Sequence, residues 1–202
     1  MEPGILAQSE AALGVMENLG WAVEPVAPPF AAGAIWEAWC ILRQFTVAMT
    51  LGPYWREDHM QAQLPAQAKW EISNGFARKV AEVEWAAETR VAWLAAARAM
   101  FAHYDAVVLP STQVWPFDVT ARWPEAIGAR AMDTYHRWME VVVPASLAGL
   151  PALALPAGFG AAGLPAGVQR IGPQGGDAAL MALGQAYHAA TDWPGARPPR
   201  DP

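Results

Sequence analysis

The stretch that decides the fold runs from Gly149 to Pro173 and reads GLPALALPAGFGAAGLPAGVQRIGP. The tetrapeptide Gly-Leu-Pro-Ala occurs in it twice, at Gly149–Ala152 and at Gly163–Ala166. Ala152–Leu155 and Gly167–Ile171 are short apolar runs bounded by proline and glycine, a pattern typical of buried strands. Because glycine permits positive φ, the glycine-rich segment between the two runs predicts a tight hairpin connection.

The apolar tract over residues 141–162 is long enough to cross a bilayer, but its composition disfavours a membrane helix. An interior proline costs a helix about 3 kcal/mol and a glycine about 1 kcal/mol. Three prolines and three glycines interrupt the tract: Pro144, Pro151, Pro156, Gly149, Gly158 and Gly160. The run GFGAAG matches a nucleotide-binding loop only superficially, because Leu164 and Pro165 follow where a helix would have to begin. Neither a membrane partner nor a nucleotide is expected.

Composition narrows the possible partners and the compartment. The chain has 202 residues, 54% hydrophobic and 16% charged, whereas about 25% charged is typical of globular proteins. This excess of apolar over charged residues predicts that a partner, a second copy or sequence missing from this chain covers part of the surface. The net charge of -6 argues against nucleic acid, whose phosphates require a basic stripe. The single Cys40, with no secretory leader visible in the first residues, predicts a cytoplasmic location.

Local patterns elsewhere predict one α/β domain over residues 1–193 and a disordered Pro-rich tail over 194–202. A helical section is expected over about 31–104, and sheet-forming sections over about 21–26 and 105–193. Helices are predicted over Pro3–Leu19, stopped by Gly20, over Ala31–Leu51, over about Ala126–Ala148 and over Asp177–Ala190. A further helical pattern covers Ala66–Tyr104 and is broken near Ser73–Gly75; its apolar stripe runs through Val80, Val83, Ala87, Val91, Leu94 and Phe101. A strand buried on both faces is predicted at Val107–Leu109.

The order of motifs after residue 104 resembles that of the amidase signature enzymes. A strand ending D-x-x-x-x-P-[ST] is matched by YDAVVLPST, and the patterns G-x-P-A-x-x-x-P-x-G and G-L-P-x-G-x-Q-x-x-G follow it in order. The matching positions are Asp105, Pro110, Ser111, Gly149, Pro151, Ala152, Pro156, Gly158, Gly163, Leu164, Pro165, Gly167, Gln169 and Gly172. The resemblance implies an α/β chain that is the C-terminal portion of the amidase signature fold. Its mixed sheet would be covered by helices and incomplete without the N-terminal catalytic core.

The same resemblance implies which chemistry this chain lacks. The family uses a lysine, a serine in a cis peptide and a nucleophilic serine, carried in a Gly/Ser-rich signature. Neither lysine of this chain, Lys69 or Lys79, and none of its four serines lies in such a run. The expected function is therefore the C-terminal half of an amidase-type hydrolase of carboxamide C–N bonds, inactive alone. A small amide would bind only in the complete enzyme.

Two explanations for such a chain stay open at the level of sequence. It could be a truncation or one piece of a split enzyme, with the missing N-terminal half or a second copy as its partner. The alternative is a non-catalytic binding or assembly module that uses an unpaired sheet edge.

Candidate site residues come from the loop PSTQVWPFD, which directly follows the predicted strand at Val107–Leu109. Loops after the C-terminal ends of strands in open α/β sheets commonly line pockets. Ser111, Thr112, Trp115 and Phe117 are the predicted pocket-lining residues. No catalytic residue, cofactor or metal is predicted.

Three other groups of reactive side chains favour structural roles. Cys40 lies in an apolar run, which indicates an inert core thiol. The four histidines lack the close spacing of metal ligands. Asp133, His136 and Glu140 would share one face of the predicted helix, which is more typical of an ion-paired surface than of an acid/base pair.

Overall fold

A computed structural model describes residues 1–196 of the chain, and within them helices accompany small antiparallel sheets, as the α/β class predicts. Two compact units are present, one of residues 1–27 with the segment from residue 99 onward, the other of Pro28–Arg98. Among the described residues, no helix is both long and apolar enough to span a membrane. The elements are α1 (Ile5–Asn18), α2 (Ala32–Trp55), α3 (Asp58–Gln63), α4 (Ala66–Ala77), α5 (Val80–Met100), β1 (Val107–Pro110), β2 (Ala126–Ile127), β3 (Arg130–Ala131), a 3-10 helix (Arg137–Val142), α6 (Val143–Ala148), β4 (Ala152–Phe159), β5 (Pro165–Ile171), α7 (Asp177–Thr191) and α8 (Trp193–Ala196).

A three-stranded sheet in the order β1-β5-β4 is built around the predicted hairpin. The strands expected at Ala152–Leu155 and Gly167–Ile171 are confirmed, and both extend further toward the turn. The hairpin closes with Gly160 N–H donating to Leu164 O at 2.8 Å. Every pairing in this sheet is antiparallel, so the mixed directions expected from the resemblance do not occur among the described strands. β1 is an outer strand and half-buried, which corrects the prediction that both its faces are covered.

The core of this unit lies where α1 and α7 cover one face of the sheet. Its buried residues are Ala12, Met16, Ala157, Val168 and Tyr187. α1 ends as the sequence predicts, because Gly20 adopts a φ of 84° and its N–H donates to Glu17 O at 2.8 Å. The predicted tail at 194–202 begins inside α8, and its residues 197–202 lie outside the described residues.

The segment over 21–26, expected as a strand, has no β-pairing. Its apolar alternation is nevertheless used, since Trp21 and Val23 pack against the core cluster. Alternation of apolar residues predicts which side chains turn inward, whereas a strand also needs an adjacent strand with which its backbone can form hydrogen bonds.

The expected helix over Ala126–Ala148 is also wrong in its first half. Gly128, with a φ of 58°, turns the chain between β2 and β3, which pair Ala126 with Ala131. α6 begins only at Val143, and Pro144 occupies its first turn. Proline fits there because its absent N–H has no intrahelical partner to lose.

In the helical unit, α2 and α4 cross at a glycine. A Cβ at Gly75 would overlap the carbonyl oxygen of Gln44 and the Cβ of Ala48. Close packing therefore keeps Gly75 inside α4, and the predicted break near it falls instead at Arg78–Lys79. The same pair of helices is joined by Arg43 Nε donating to Glu71 Oε1 at 2.7 Å. α2 also continues past its predicted end at Leu51 as far as Trp55, although Pro53 lies in its last turn.

The buried side of α5 differs from the predicted stripe. Val80 and Val91, expected to be buried, are 84% and 67% exposed. The buried positions are instead Ala86, Thr89, Trp93 and Ala97. α5 is rich in alanine on several sides, so its periodicity does not single out one face.

Candidate functional site

The loop that follows β1 starts at a close approach of two backbone segments. Ser111 N–H donates to Gly167 O at 3.0 Å, which continues the β1–β5 ladder. A Cβ at Gly167 would lie 2.6 Å from Ser111 Oγ and 3.1 Å from Leu155 O. The lack of a side chain at Gly167 therefore allows Ser111, the first residue of the loop, to lie close to β5. Ser111 is half-buried there.

Two buried glutamines fix the next part of the loop to the 3-10 helix. Gln113 Oε1 accepts from Val141 N–H at 2.9 Å. Gln169 Nε2 donates to Val141 O at 3.0 Å and to Pro110 O at 3.1 Å. Both polar groups of Val141 are thus held by side chains, so the 3-10 helix and the end of β1 form one hydrogen-bonded assembly. Thr112 turns the loop locally, with Oγ1 at 3.3 Å from both N and O of Val114.

Trp115 ties the loop to the start of the chain. Its backbone N–H donates to Glu2 Oε2 at 2.6 Å, and its indole Nε1 donates to Pro3 O at 3.0 Å. A Cβ at Gly160 would overlap its ring, and one at Gly4 would lie 3.3 Å from it. Trp115 is therefore an anchor between the hairpin turn and the N-terminal segment, a role that sequence spacing could not indicate.

Phe117 is 42% exposed and leads into a group of aromatic side chains. Its ring meets Trp138 edge-on, with centroids 5.5 Å apart. Trp123 meets Tyr135 edge-on at 6.3 Å, and Tyr135 stacks on His136 at 4.5 Å. The four predicted residues therefore divide: Ser111, Thr112 and Trp115 are used in contacts within the unit, and Phe117 presents surface. Trp138 contacts Phe117, and Trp123 contacts Tyr135, and no spacing pattern in the sequence indicates either pair.

Ion pairs occupy the segment that was expected to place Asp133, His136 and Glu140 on one helical face. Arg137 Nε lies 3.3 Å from Glu140 Oε2 and 3.7 Å from Asp133 Oδ1. Arg130 lies 3.4 Å from the same Glu140 oxygen. His136 is 1% exposed, with Nδ1 at 2.7 Å from Thr134 Oγ1. The segment is not α-helical there, and its carboxylates are paired with guanidinium groups, as the ion-paired interpretation predicts.

On the opposite face of β5, Arg170 is 2% exposed. Its guanidinium carbon lies 4.2 Å from the centroid of the Trp21 ring, a cation–π contact. Burial lowers the pKa of Arg170 and raises that of Tyr187. Tyr187 Oη donates to Pro156 O at 3.0 Å. These groups close the core beneath α1 and α7, and neither is placed as a nucleophile.

Two of the serine hydroxyls take structural roles. Ser9 donates to Ile5 O at 3.1 Å, and Ser146 donates to Val142 O at 3.3 Å, each back along its own helix. Ser73 is exposed on α4. Cys40 is buried, as its apolar surroundings predict. Within residues 1–196, no three His, Cys, Asp or Glu side chains are grouped so that they could hold a metal ion.

The sequence profile of the Amidase family matches residues 1–181. The chain belongs to this family. The A subunit of glutamyl-tRNA(Gln) amidotransferase from Dehalococcoides mccartyi is 28% identical over 96% of this chain and 43% of its own length. Its counterpart from Hahella chejuensis is 43% identical over 44% of this chain and 17% of its own length. This chain thus spans less than half the length of these Amidase relatives.

Solved structures give the same fold. A bacterial aryl acylamidase of the amidase signature family superposes with a TM-score of 0.82 at 21% identity, over 98% of this chain and 44% of that one. A 6-aminohexanoate cyclic dimer hydrolase in complex with its substrate gives 0.78 at 17% identity, over 98% and 43%. The motifs that predicted the family are those that form β4, β5 and the start of the β1 loop. The Amidase resemblance is thus confirmed, together with the α/β fold.

Proposed function

We propose that this chain supplies the C-terminal half of an amidase-type hydrolase acting on carboxamide C–N bonds. Residues 1–193 contribute sheet strands, covering helices and one side of the substrate pocket, through Ser111, Thr112, Trp115 and Phe117. Membership of the Amidase family supports the class of reaction. Similar folds in an aryl acylamidase and a cyclic dimer hydrolase favour hydrolysis.

The pocket part of this proposal is supported by the loop after β1, which side-chain hydrogen bonds hold in place. Trp115 N–H donates to Glu2 Oε2 and Gln169 Nε2 donates to Pro110 O, while the side chain of Gln113 accepts from Val141 N–H of the 3-10 helix, all at 2.6–3.1 Å. A wall that is fixed before substrate arrives loses less entropy on binding. Phe117 extends from this fixed loop with 42% of its surface open.

We propose further that the chemistry depends on residues outside this chain. A serine nucleophile needs an adjacent base and an oxyanion site. Ser9 and Ser146 instead use their hydroxyls inside helices, and neither lysine lies in a Gly/Ser-rich run. The chain alone should not hydrolyse amides. A second polypeptide or covalently linked sequence would bring the lysine and serines, in a reducing compartment such as the cytoplasm.

The test is to isolate the protein from its source under native conditions and identify every chain that accompanies it by intact mass and peptide sequencing. Ammonia release from simple carboxamides is then measured for the isolate and for this chain produced alone. The proposal expects a Gly/Ser-rich, lysine-containing segment in the isolate, turnover by the isolate and none by the chain alone. Turnover by the purified single chain, or an isolate without such a segment, would contradict it.

A binding or assembly module is the second candidate, favoured by the unpaired outer sides of β1 and β4 among the described strands. Such edges accept further strands from another chain. Pro156 removes one donor from the β4 edge, which leaves β1 as the more suitable side. Recovery of an unrelated partner and no amide turnover in the same isolation would favour this function.

A further inference from the structure

We propose that Arg170 binds a single carboxylate group beside the ring of Trp21. Arg170 lies on the face of β5 that α1 and α7 cover, the same face as the core residue Val168. Gln169 points to the opposite face, where it donates to Pro110 O at the start of the β1 loop. The carboxylate site is therefore separate from the candidate pocket, and this inference does not rest on the proposed function.

The guanidinium of Arg170 is buried with two of its nitrogen atoms lacking a hydrogen bond. The residue is 2% exposed, and among residues 1–196 no oxygen accepts a hydrogen bond from Nε or Nη1. Arginine keeps its proton at neutral pH. A charged group that is removed from water without a hydrogen-bonded partner is costly. These two nitrogen atoms are therefore the donors to which an anion would bind.

Trp21 covers the guanidinium and marks the side from which a ligand could reach it. The guanidinium carbon lies 4.2 Å from the centroid of the Trp21 ring. Such a contact attracts the positive charge, but a ring face does not replace the charge-assisted hydrogen bonds that an anion would accept. Trp21 is partly exposed, and residues 21–26 form no β-pairing. A local shift of this segment costs less than separation of paired strands, so a small anion can reach Arg170 past Trp21.

The side chains around Arg170 leave its charge without a carboxylate. Val108 of β1 and Leu153 of β4 are its register partners on the same face of the sheet, and both are aliphatic. Glu24 is the carboxylate nearest to Trp21 along the chain, and it accepts a hydrogen bond from the Tyr104 hydroxyl. A partner for the Arg170 charge is therefore expected from a bound group.

Charge and shape favour a carboxylate over other anions. One guanidinium among aliphatic and aromatic side chains matches one negative charge, whereas a phosphate dianion would bring a second charge without a partner. A carboxylate presents two oxygens in one plane, and it pairs with the planar guanidinium through short charge-assisted hydrogen bonds. A small free acid, or an Asp or Glu side chain of another polypeptide, would present the same group.

The experiment measures the thermal midpoint of the full chain by circular dichroism at neutral pH in about 100 mM sodium acetate. The reference solution contains acetamide, the uncharged counterpart of acetate, and sodium chloride at the same concentrations. For a dissociation constant of about 10 mM, we expect acetate to raise the midpoint by roughly 3–6 °C over the reference. The Nε–H resonance of Arg170 in nitrogen-correlated NMR spectra should also shift with acetate and not with acetamide.

Arg170→Met, which keeps an unbranched apolar side chain without the charge, should abolish the rise of the midpoint. Its missing Nε–H resonance also assigns that of Arg170 in the parent. Arg130→Met is the matched control and should retain the rise, because Arg130 is a guanidinium whose side chain is 55% exposed. If Arg170→Met fails to fold, Arg170→Lys takes its place and should lose most of the rise, since an ammonium lacks the planar donors.

Equal midpoints of the parent in the two solutions, a rise that the Arg170 variant retains, or an unshifted Arg170 resonance would overturn the inference. The same titration of the protein isolated from its source under native conditions distinguishes the two origins of the carboxylate. A rise equal to that of the chain alone indicates a free acid, and loss of the rise in an isolate that contains a second chain indicates a side-chain carboxylate. Because the readout is anion binding, its result is independent of amide turnover.

Discussion

Single glycines decide how closely neighbouring backbones approach in this fold. At Gly75 a Cβ would overlap the backbone of α2, whereas at Gly33 no atom would lie within 4 Å of it. Gly75 lies within α4 and Gly33 in the first turn of α2, and a glycine in a helix interior costs about 1 kcal/mol relative to alanine. Helix propensity does not oppose alanine at either site, so the tertiary contact at Gly75 decides the sign of the effect there.

Gly75→Ala should therefore destabilise the helical unit although it improves helix propensity. We expect the free energy of unfolding to fall by about 1–3 kcal/mol, because the helices must separate to admit the methyl group. Gly33→Ala is the matched control and should leave stability unchanged or raise it by up to about 1 kcal/mol. Urea unfolding followed by circular dichroism at 222 nm gives both values. A Gly75→Ala variant as stable as Gly33→Ala would show that the α2–α4 crossing is not this tight.

At the scale of elements, the 3-10 helix depends on side chains from two distant segments. Val141 N–H is bonded to Gln113 Oε1 at 2.9 Å, and Val141 O to Gln169 Nε2 at 3.0 Å. A short 3-10 helix has poor hydrogen-bond geometry of its own. Its position beside the β1 loop is therefore set by the two glutamines.

Gln113→Leu should release this contact and leave the Val141 amide unpaired. Loss of one buried hydrogen-bond partner costs about 1–3 kcal/mol, so we expect exchange of the Val141 amide to accelerate by roughly tenfold or more. Hydrogen–deuterium exchange resolved by NMR measures it. Gln185→Leu, at an exposed position of α7, is the control and should leave the Val141 rate unchanged. Unchanged protection in Gln113→Leu would mean that the 3-10 helix holds itself in place.

Elements whose signal is local are predictable from this sequence, and those that depend on distant contacts are not. The hairpin strands and the final helix over Asp177–Thr191 follow from short apolar runs with glycine or proline at their ends. The segment over 126–136 reads as helix by periodicity, but Gly128 turns it into a hairpin. The segment over 21–26 has the alternation of a strand without a ladder to join.

For the whole molecule, the sequence locates the candidate loop but not the use of its residues. Position after a strand is a local signal, which is why the loop with Ser111 and Phe117 could be predicted. The anchor of Trp115 is Glu2, 113 residues earlier in the chain. No spacing rule connects two such residues, and the same holds for Phe117 and Trp138.

The core of the sheet unit carries a pH dependence that can be measured on the intact chain. Burial is the main cause that raises the pKa of Tyr187, and it is opposed by the side chain of Trp193 and, more weakly, by the nearby Arg170 charge. A tyrosine whose native pKa is raised keeps its proton longer in the folded state than in the unfolded one. Its contribution to stability is therefore complete below about pH 10 and is lost as pH rises through the native pKa.

Tyr187→Phe should separate this ionisation from the packing of the ring. At neutral pH we expect a loss of about 1 kcal/mol, because the hydrogen bond to Pro156 O at 3.0 Å is removed. Above about pH 10 the gap between the variant and the parent should narrow, since phenylalanine has no proton to release. Urea unfolding between pH 7 and 11 measures both effects, with Tyr54→Phe, at a 45% exposed position of the helical unit, as the control. If the parent and Tyr187→Phe lose stability in parallel as pH rises, the alkaline sensitivity of this core arises from groups other than Tyr187.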